Sequence, residues 1–369
     1  MKISFLVTAL IILCSCSNKQ QSNFKSMEIK NPLSVKFGDP YILEANDGKF
    51  YMYGTSNDIN GFRAYSSHDL SNWKDEGIIY QGATEDSWTV DCFWAPEVYE
   101  IDNKYYLWYS ANWKNNPTNE GENFRIGVAV SDKPTGPFKE MNNGPIFDPG
   151  YPIIDANLYF EENGQVFMYY SRCCYKNPVE SEVADWAREK GWFDEIEESW
   201  IYGIEIEPDF TNVIGEPVLL LRPPITMDDK QAEWESRSVT SKEINRRWTE
   251  GSYTFKKNDT YYMMYSANFF GGANYAVGYA TSKSPLGPYH KADNNPVLEK
   301  NIEKGGNVTG TGHNMVLTLN DEQMLCVYHA RTSDTGNDRI AFIDTMKILD
   351  DGTLVVNGPT VESQIITIK

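Results

Sequence analysis

The stretch from Arg246 to Asn268, RRWTEGSYTFKKNDTYYMMYSAN, decides how the chain folds. Aromatic and β-branched residues fill both halves, and the Lys-Lys-Asn-Asp between them is a turn signal, so the pattern predicts a β-hairpin. Nearly the same text recurs four more times. WAPEVYEIDNKYYLWYS begins at Trp94, DANLYFEENGQVFMYYS at Asp155 and HNMVLTLNDEQMLCVYH at His313, while DPYILEANDGKFYMYG at Asp39 is shorter. A third segment follows each hairpin. Two of these, IGVAVSDKPTGPFKE from Ile126 and VGYATSKSPLGPYHK from Val277, end in a Gly-Pro-aromatic turn leading to a further strand. Self-similar units of this size outrank any single motif as evidence of architecture. Four short antiparallel strands repeated five times about an axis predict an all-β protein, a five-bladed β-propeller, over residues 31–369. The wider gap between Asp155 and Glu250 marks an insertion in the third unit.

If the first strand of each hairpin is innermost, the antiparallel return carries the end of the second strand back beside its start. The starting residues Asp39, Trp94, Asp155, Glu250 and His313 then ring a central channel. A Tyr and a small or polar residue close each hairpin: Tyr109-Ser110, Tyr170-Ser171, Tyr265-Ser266, Tyr328-His329 and, in the short copy, Tyr53-Gly54. Packing alone asks for similar, bland residues in the ring, yet it holds three carboxylates, a Trp and a His. Converging carboxylates raise one another's pKa values. Hydrolysis of a glycosidic bond needs that condition, with one carboxylic acid kept protonated for the leaving oxygen and one ionised to activate water. An aromatic wall suits the apolar face of a sugar ring.

These motifs resemble glycoside hydrolase family 43, the five-bladed propeller arabinanases, α-L-arabinofuranosidases and β-xylosidases. The resemblance runs from about Asn31 to the C-terminus and rests on FGDPYIL, FWAPEV, YPIIDANLYF, TEGSYTFKKNDTYYMMYSA and GTGHNMV, one per repeat and in order. It implies Asp39 as general base, Glu250 as general acid and Asp155 as the residue that positions the acid and sustains its pKa, with inversion at the anomeric carbon. Trp94 becomes a wall of the sugar site. His313 sits in the channel, either bonded through water or near a bound calcium; no cofactor is otherwise required. His329 and Arg331 return beside His313, and Arg339, in TGNDRIAF, resembles a substrate-contacting Arg of the family. Either Arg could counter the carboxylates.

The opening MKISFLVTALIILCSCSNKQ has Lys2, then an apolar run too short to span a bilayer that ends in Leu-Cys-Ser-Cys, which resembles a lipoprotein cleavage box. Residues 1–15 read as a signal peptide, Cys16 as the lipid attachment site and 16–30 as a tether to a bacterial membrane. A net charge of −19 argues against nucleic acid and against an anionic polysaccharide, and favours a neutral, pentose-containing glycan as partner of a monomer. Cys92, Cys173, Cys174 and Cys326 form no CxxC pair, so zinc and redox chemistry have no support. Val183, Trp186 and Ala187 suggest one short helix in the insertion. The segment from Pro223 to Trp248 reads as a second rim element, with Trp234 and Glu235 as candidates to line a subsite. The reading is an exo-acting glycosidase, α-L-arabinofuranosidase before β-xylosidase before endo-arabinanase. Its rivals are a noncatalytic sugar-binding propeller and a protein-interaction propeller. The first would be expected to lack one of the three carboxylates, and the second has no use for a polar ring.

Overall fold

The computed structural model describes residues 25–56, 59–116, 122–173, 179–319 and 323–368, and these are all-β with a few helical turns. The first four-stranded group comprises Gly38–Glu44, Phe50–Thr55, Gly61–Ser67 and Lys74–Gln81; the second comprises Trp94–Ile101, Lys104–Asn112, Phe124–Ser131 and Lys139–Glu140. Ile153–Phe160, Val166–Cys173, Glu197–Ile206 and Val213–Leu221 form the third. The fourth is Arg246–Lys257, Thr260–Ala267, Ala276–Ser282 and His290–Lys291, and the fifth Val308–Leu319, Gln323–Thr332, Ile340–Ile348 and Leu354–Val356. Within each group neighbouring strands pair antiparallel. The Asn258-Asp259 turn of the opening hairpin has positive φ at both residues, +50° and +56°, the geometry of a two-residue type I′ turn.

Apolar clusters fill the space between successive groups, so a strand such as Phe50–Thr55 is buried along its whole length rather than on alternate residues. The closing tyrosines Tyr53, Tyr109, Tyr170, Tyr265 and Tyr328 are all fully buried. That burial accounts for their recurrence.

Each first strand carries a bulge at its inner end, and the bulge residue has a left-handed backbone: Asp39 (φ +53°), Ala95 (+46°), Asp155 (+60°), Gly251 (+58°) and His313 (+49°). The five sequence-matched ring residues are therefore not all equivalent. Trp94 and Glu250 stand one residue ahead of the bulge, because the second and fourth hairpins pair in a register shorter by one. A bulge N–H cannot reach its own partner strand, and leaving it buried and unpaired is costly. The preceding group supplies the acceptor every time. Ala95 N donates to Thr55 Oγ1 (2.8 Å), Asp155 N to Ser110 Oγ (2.9 Å), Gly251 N to Ser171 Oγ (3.2 Å) and His313 N to Ser266 Oγ (2.7 Å). Asp39 N donates to His329 Nδ1 (3.1 Å), which returns the series to its start. In the short first copy the acceptor is Thr55, not Gly54 as the sequence match implies.

Two further corrections concern the ends and the insertion. Residues 25–29, read as the end of a tether, form a strand paired with Gln364–Ile368, a contact between chain ends that no local pattern reveals. Cys16 and the leader lie outside the described residues. The expected helix is Glu182–Glu189, capped by Ser181 Oγ, but the short helices Ala232–Glu235 and Arg237–Thr240 have no counterpart in the sequence pattern, being too short to show a period. Cys92 and Cys326 are unbridged thiols and Cys173 is buried; Cys174 lies outside the described residues.

The third and fourth groups share a parallel contact between Glu197–Ser199 and Arg246–Trp248. At its centre Arg247 donates to Glu198 Oε1 through Nη2 (2.6 Å) and Nε (3.0 Å), both side chains fully buried. Trp200 Nε1 (2.6 Å) and Arg222 (3.2 Å) satisfy the other carboxylate oxygen. Removing one partner strands the other charge in the interior, at a cost of about 3–5 kcal/mol. Glu198→Ala should lose that much stability in a denaturant titration; a loss below about 1 kcal/mol would mean the pair is not holding the two sheets together.

Candidate active site

The bulge residues Asp39, Asp155 and His313, and Trp94 and Glu250 one residue ahead of theirs, meet at one pocket of about 130 Å³. Asp39, Trp94, Asp155, Glu250, His313 and Arg339 all line it, as the sequence reading expects. Ile154, Trp248, Phe270 and Tyr275 complete the wall. Trp94 packs against Phe124 with ring centroids 4.5 Å apart, so its indole is held from behind.

Asp39 is the most heavily bonded of the three acids. Thr55 Oγ1 donates to Oδ2 at 2.6 Å and Arg339 Nη1 to Oδ1 at 2.8 Å, with His313 Nδ1 at 3.3 Å and His329 Nδ1 at 3.4 Å from Oδ1. Burial by itself would push the pKa of Asp39 up. Arg339 first, then His313 and the Thr55 bond, outweigh it and hold the carboxyl well below its ordinary range. Gly38 makes room for this arrangement, since a Cβ there would sit about 2.0 Å from the Arg339 guanidinium carbon. His329 lends Nδ1 to the Asp39 N–H and is kept neutral, well below its usual pKa, first by burial and then by Arg339.

The other two acids behave oppositely. Asp155 accepts from Ser171 Oγ and from Gly251 N, both at 3.2 Å, yet burial first and Asp39 second raise it to about 6. Glu250 lies well above its ordinary value through burial and then repulsion from Asp155, with only the Tyr275 hydroxyl donating to Oε1 at 2.9 Å. These directions favour an ionised Asp39 and a protonated Glu250, with Asp155 between them. Carboxyls driven apart in this way suit acid–base chemistry.

Gly251 links the two sides. Its backbone is left-handed and its Cα lies under the His313 ring, where a Cβ would meet Nδ1 at 3.0 Å. His313 offers little to calcium, which takes six to eight oxygen ligands. The Asp39 oxygen 3.3 Å from its Nδ1 is already held by Arg339. Among the described residues no group of three or more His, Cys, Asp or Glu is arranged to hold a metal.

Three predicted residues lie elsewhere. Trp234 is a core residue, buried against Tyr265, with Nε1 donating to Gln231 Oε1 at 2.8 Å, and Glu235 beside it pairs with Lys291 at 2.7 Å. Their chain segment folds inward as a helical turn instead of reaching the rim. Arg331 stands outside this pocket, in the wall of a neighbouring cavity. Sequence reasoning missed Tyr275, Trp248, Phe270 and Thr55. Thr55 alone had a signal, lying sixteen residues after Asp39 as Ser171 lies sixteen after Asp155, though the shorter match pointed to Gly54.

A family model described as glycosyl hydrolases family 43 matches residues 29–354. A crystal structure of a thermostable family-43 glycoside hydrolase is 34% identical, covers 91% of this chain and 98% of its own, and superposes with a TM-score of 0.75. The endo-1,4-beta-xylanase structure from Bacteroides thetaiotaomicron VPI-5482 is 30% identical over 88% of this chain and 95% of that chain, with a TM-score of 0.68. Among curated relatives, a xylosidase/arabinosidase of Bacteroides ovatus is 29% identical, over 66% of this chain and 73% of its own length. A beta-D-galactofuranosidase of Aspergillus niger is 26% identical, over 82% and 75%.

Opposite pH shifts follow for the two limbs of the rate profile. Arg339 depresses Asp39, so Arg339→Gln should raise the pKa of Asp39 and move the acid limb of kcat/KM to higher pH. Asp155 raises Glu250, so Asp155→Asn should lower the pKa of Glu250 and move the alkaline limb to lower pH. Unmoved limbs in both variants would remove these two contacts from the control of the titration.

Proposed function

Because the chain belongs to glycosyl hydrolases family 43, we propose that this glycoside hydrolase is an inverting, exo-acting enzyme that removes terminal pentose units from plant cell-wall polysaccharide. The α-L-arabinofuranosidase reading comes first and β-xylosidase second, in keeping with relatives named xylosidase/arabinosidase. One observation carries the exo reading: three carboxylates converge on a pocket of only about 130 Å³, small beside the ~300–1,000 Å³ of ordinary ligand sites. A single terminal sugar suits such a pocket better than the middle of a chain, which ranks endo-arabinanase third.

In this mechanism Asp39 takes a proton from water as the water oxygen bonds to the anomeric carbon. The glycosidic C–O bond breaks on the opposite face, and Glu250 gives its proton to the leaving oxygen. Arg339 and Thr55 keep Asp39 ionised and aimed. Asp155 keeps Glu250 protonated and, through Gly251 N, fixes the backbone that carries it. Trp94 and Trp248 offer faces to the sugar. After one turnover the two catalytic carboxyls have exchanged protonation states and reset through solvent.

The same reading takes each four-stranded group as one blade of a five-bladed propeller. It keeps the remaining sequence expectations: export, lipid attachment at Cys16, a monomer and no required cofactor.

A panel of aryl glycosides, arabinofuranoside against xyloside, with linear arabinan as third substrate, tests the ranking. Asp39→Asn should lose about a hundredfold to ten-thousandfold in turnover on all of them. Glu250→Gln should hurt natural oligosaccharides far more than activated aryl glycosides, whose leaving groups need little protonation. Product NMR should show the anomer opposite to that of the substrate; retention would overturn the assignment of Asp39 as base.

A further inference from the structure

A second cavity of about 790 Å³ adjoins the catalytic pocket and shares Phe270 and Arg339 with it. Lys36, Arg63, Arg331 and Arg339 stand in its wall against one acid, Asp338. Three of these cations have carboxylate partners: Lys36 with Asp338 (2.9 Å), Arg63 with Asp75 (2.7 Å) and Arg339 with Asp39 (2.8 Å). Arg331 has none among the described residues. Its Nε donates to the Asn337 carbonyl at 3.2 Å, and its Nη1 is covered without an acceptor where it packs over Gly310. A partly buried guanidinium beside a second one is costly when no carboxylate pairs with it. Burial and then Arg339 lower its pKa, and Asp39 and Glu243, neither within salt-bridge distance, offset them only in part. In a chain of net charge −19, an arginine without a carboxylate pair beside the active site is not a consequence of composition.

We propose that this cavity is a subsite for a carboxylate-bearing sugar, a uronosyl unit adjoining the pentose that the enzyme removes. The inference rests on the exo-glycosidase reading above. A carboxylate in the cavity would pair with the Arg331 guanidinium where it lines the wall, in a charge-assisted bond, and arginine's planar fork suits a carboxylate better than an ammonium would. Phe270 and Tyr65 offer apolar faces to the sugar ring, and Asn337 and Ser34 offer polar groups to its hydroxyls. The acidity of the whole chain sets the limit on the ligand. A polyuronide would be repelled over its length, whereas a single acidic decoration on an otherwise neutral glycan meets only the local positive wall.

The test compares kcat/KM of the wild-type enzyme on three matched oligosaccharides: a neutral one, the same chain with one uronosyl substituent, and the methyl ester of that substituent. The acid form should be preferred over both others by about tenfold or more, and the preference should shrink at high salt. Arg331→Gln should abolish the preference, and Lys36→Gln, at the exposed rim, should weaken it. The ester comparison needs no variant, so it stands even if Arg331→Gln folds poorly. Equal turnover of all three by the wild type would overturn the subsite while leaving the glycosidase reading intact, as would a preference that persists in folded Arg331→Gln. Absence of turnover on any pentoside would instead overturn the reading beneath it.

Discussion

Five backbone N–H groups, each at a left-handed bulge, donate to a side chain at the end of the preceding sheet's second strand. The rest of the structure depends on this series. It gives every buried bulge donor an acceptor, and it runs Thr55 to Ala95, Ser110 to Asp155, Ser171 to Gly251, Ser266 to His313 and His329 to Asp39. A left-handed conformation is costly for most residues and least so for Asp, Asn, His and Gly. Four of the five bulge residues come from that group, and all four lie at or beside the chemistry. Local backbone strain sits at the site and is over-determined by the packing around it.

The same hydroxyls that join the sheets also aim the acids. Thr55 Oγ1 accepts the Ala95 N–H and sends its own hydrogen to Asp39; Ser171 Oγ accepts the Gly251 N–H and donates to Asp155. Tertiary closure and carboxylate placement are thus one hydrogen-bond system. A sheet displaced by half an ångström would move an acid by a similar distance, and catalysis by positioned groups is sensitive on that scale.

Three acids at one mouth stay distinct because their surroundings differ more than their chemistry. Burial presses all three upward. Asp39 escapes because the fifth sheet brings Arg339 and His313 to its oxygens. Glu250 has a single phenol donor and an ionised neighbour, so burial prevails. Asp155 falls between them, pushed to about 6. The one-residue offset that places Glu250 ahead of its bulge, and Asp39 and Asp155 on theirs, starts Glu250 from a different point of the backbone than the two acids it works against.

Much of this was legible in the chain. The fivefold echo determines the strands, their hairpins and the ring that Asp39, Trp94, Asp155, Glu250 and His313 share, because a repeated packing problem is solved by repeated residues. The tyrosines that close each hairpin recur for the same reason. Tertiary structure decided what repetition cannot encode. Trp234 turned inward because its helical turn packs on the fourth sheet, and residues 25–29 became a strand because the other end of the chain lies beside them. Tyr275 and Phe270 reach the pocket from the third-strand side, where no echo marks them. Thr55, offset by one from the pattern, proved to be the acceptor. The protonation states came last, since a carboxyl's pKa is set by the charges and burial that other sheets bring to it, and those are known only once the sheets have met.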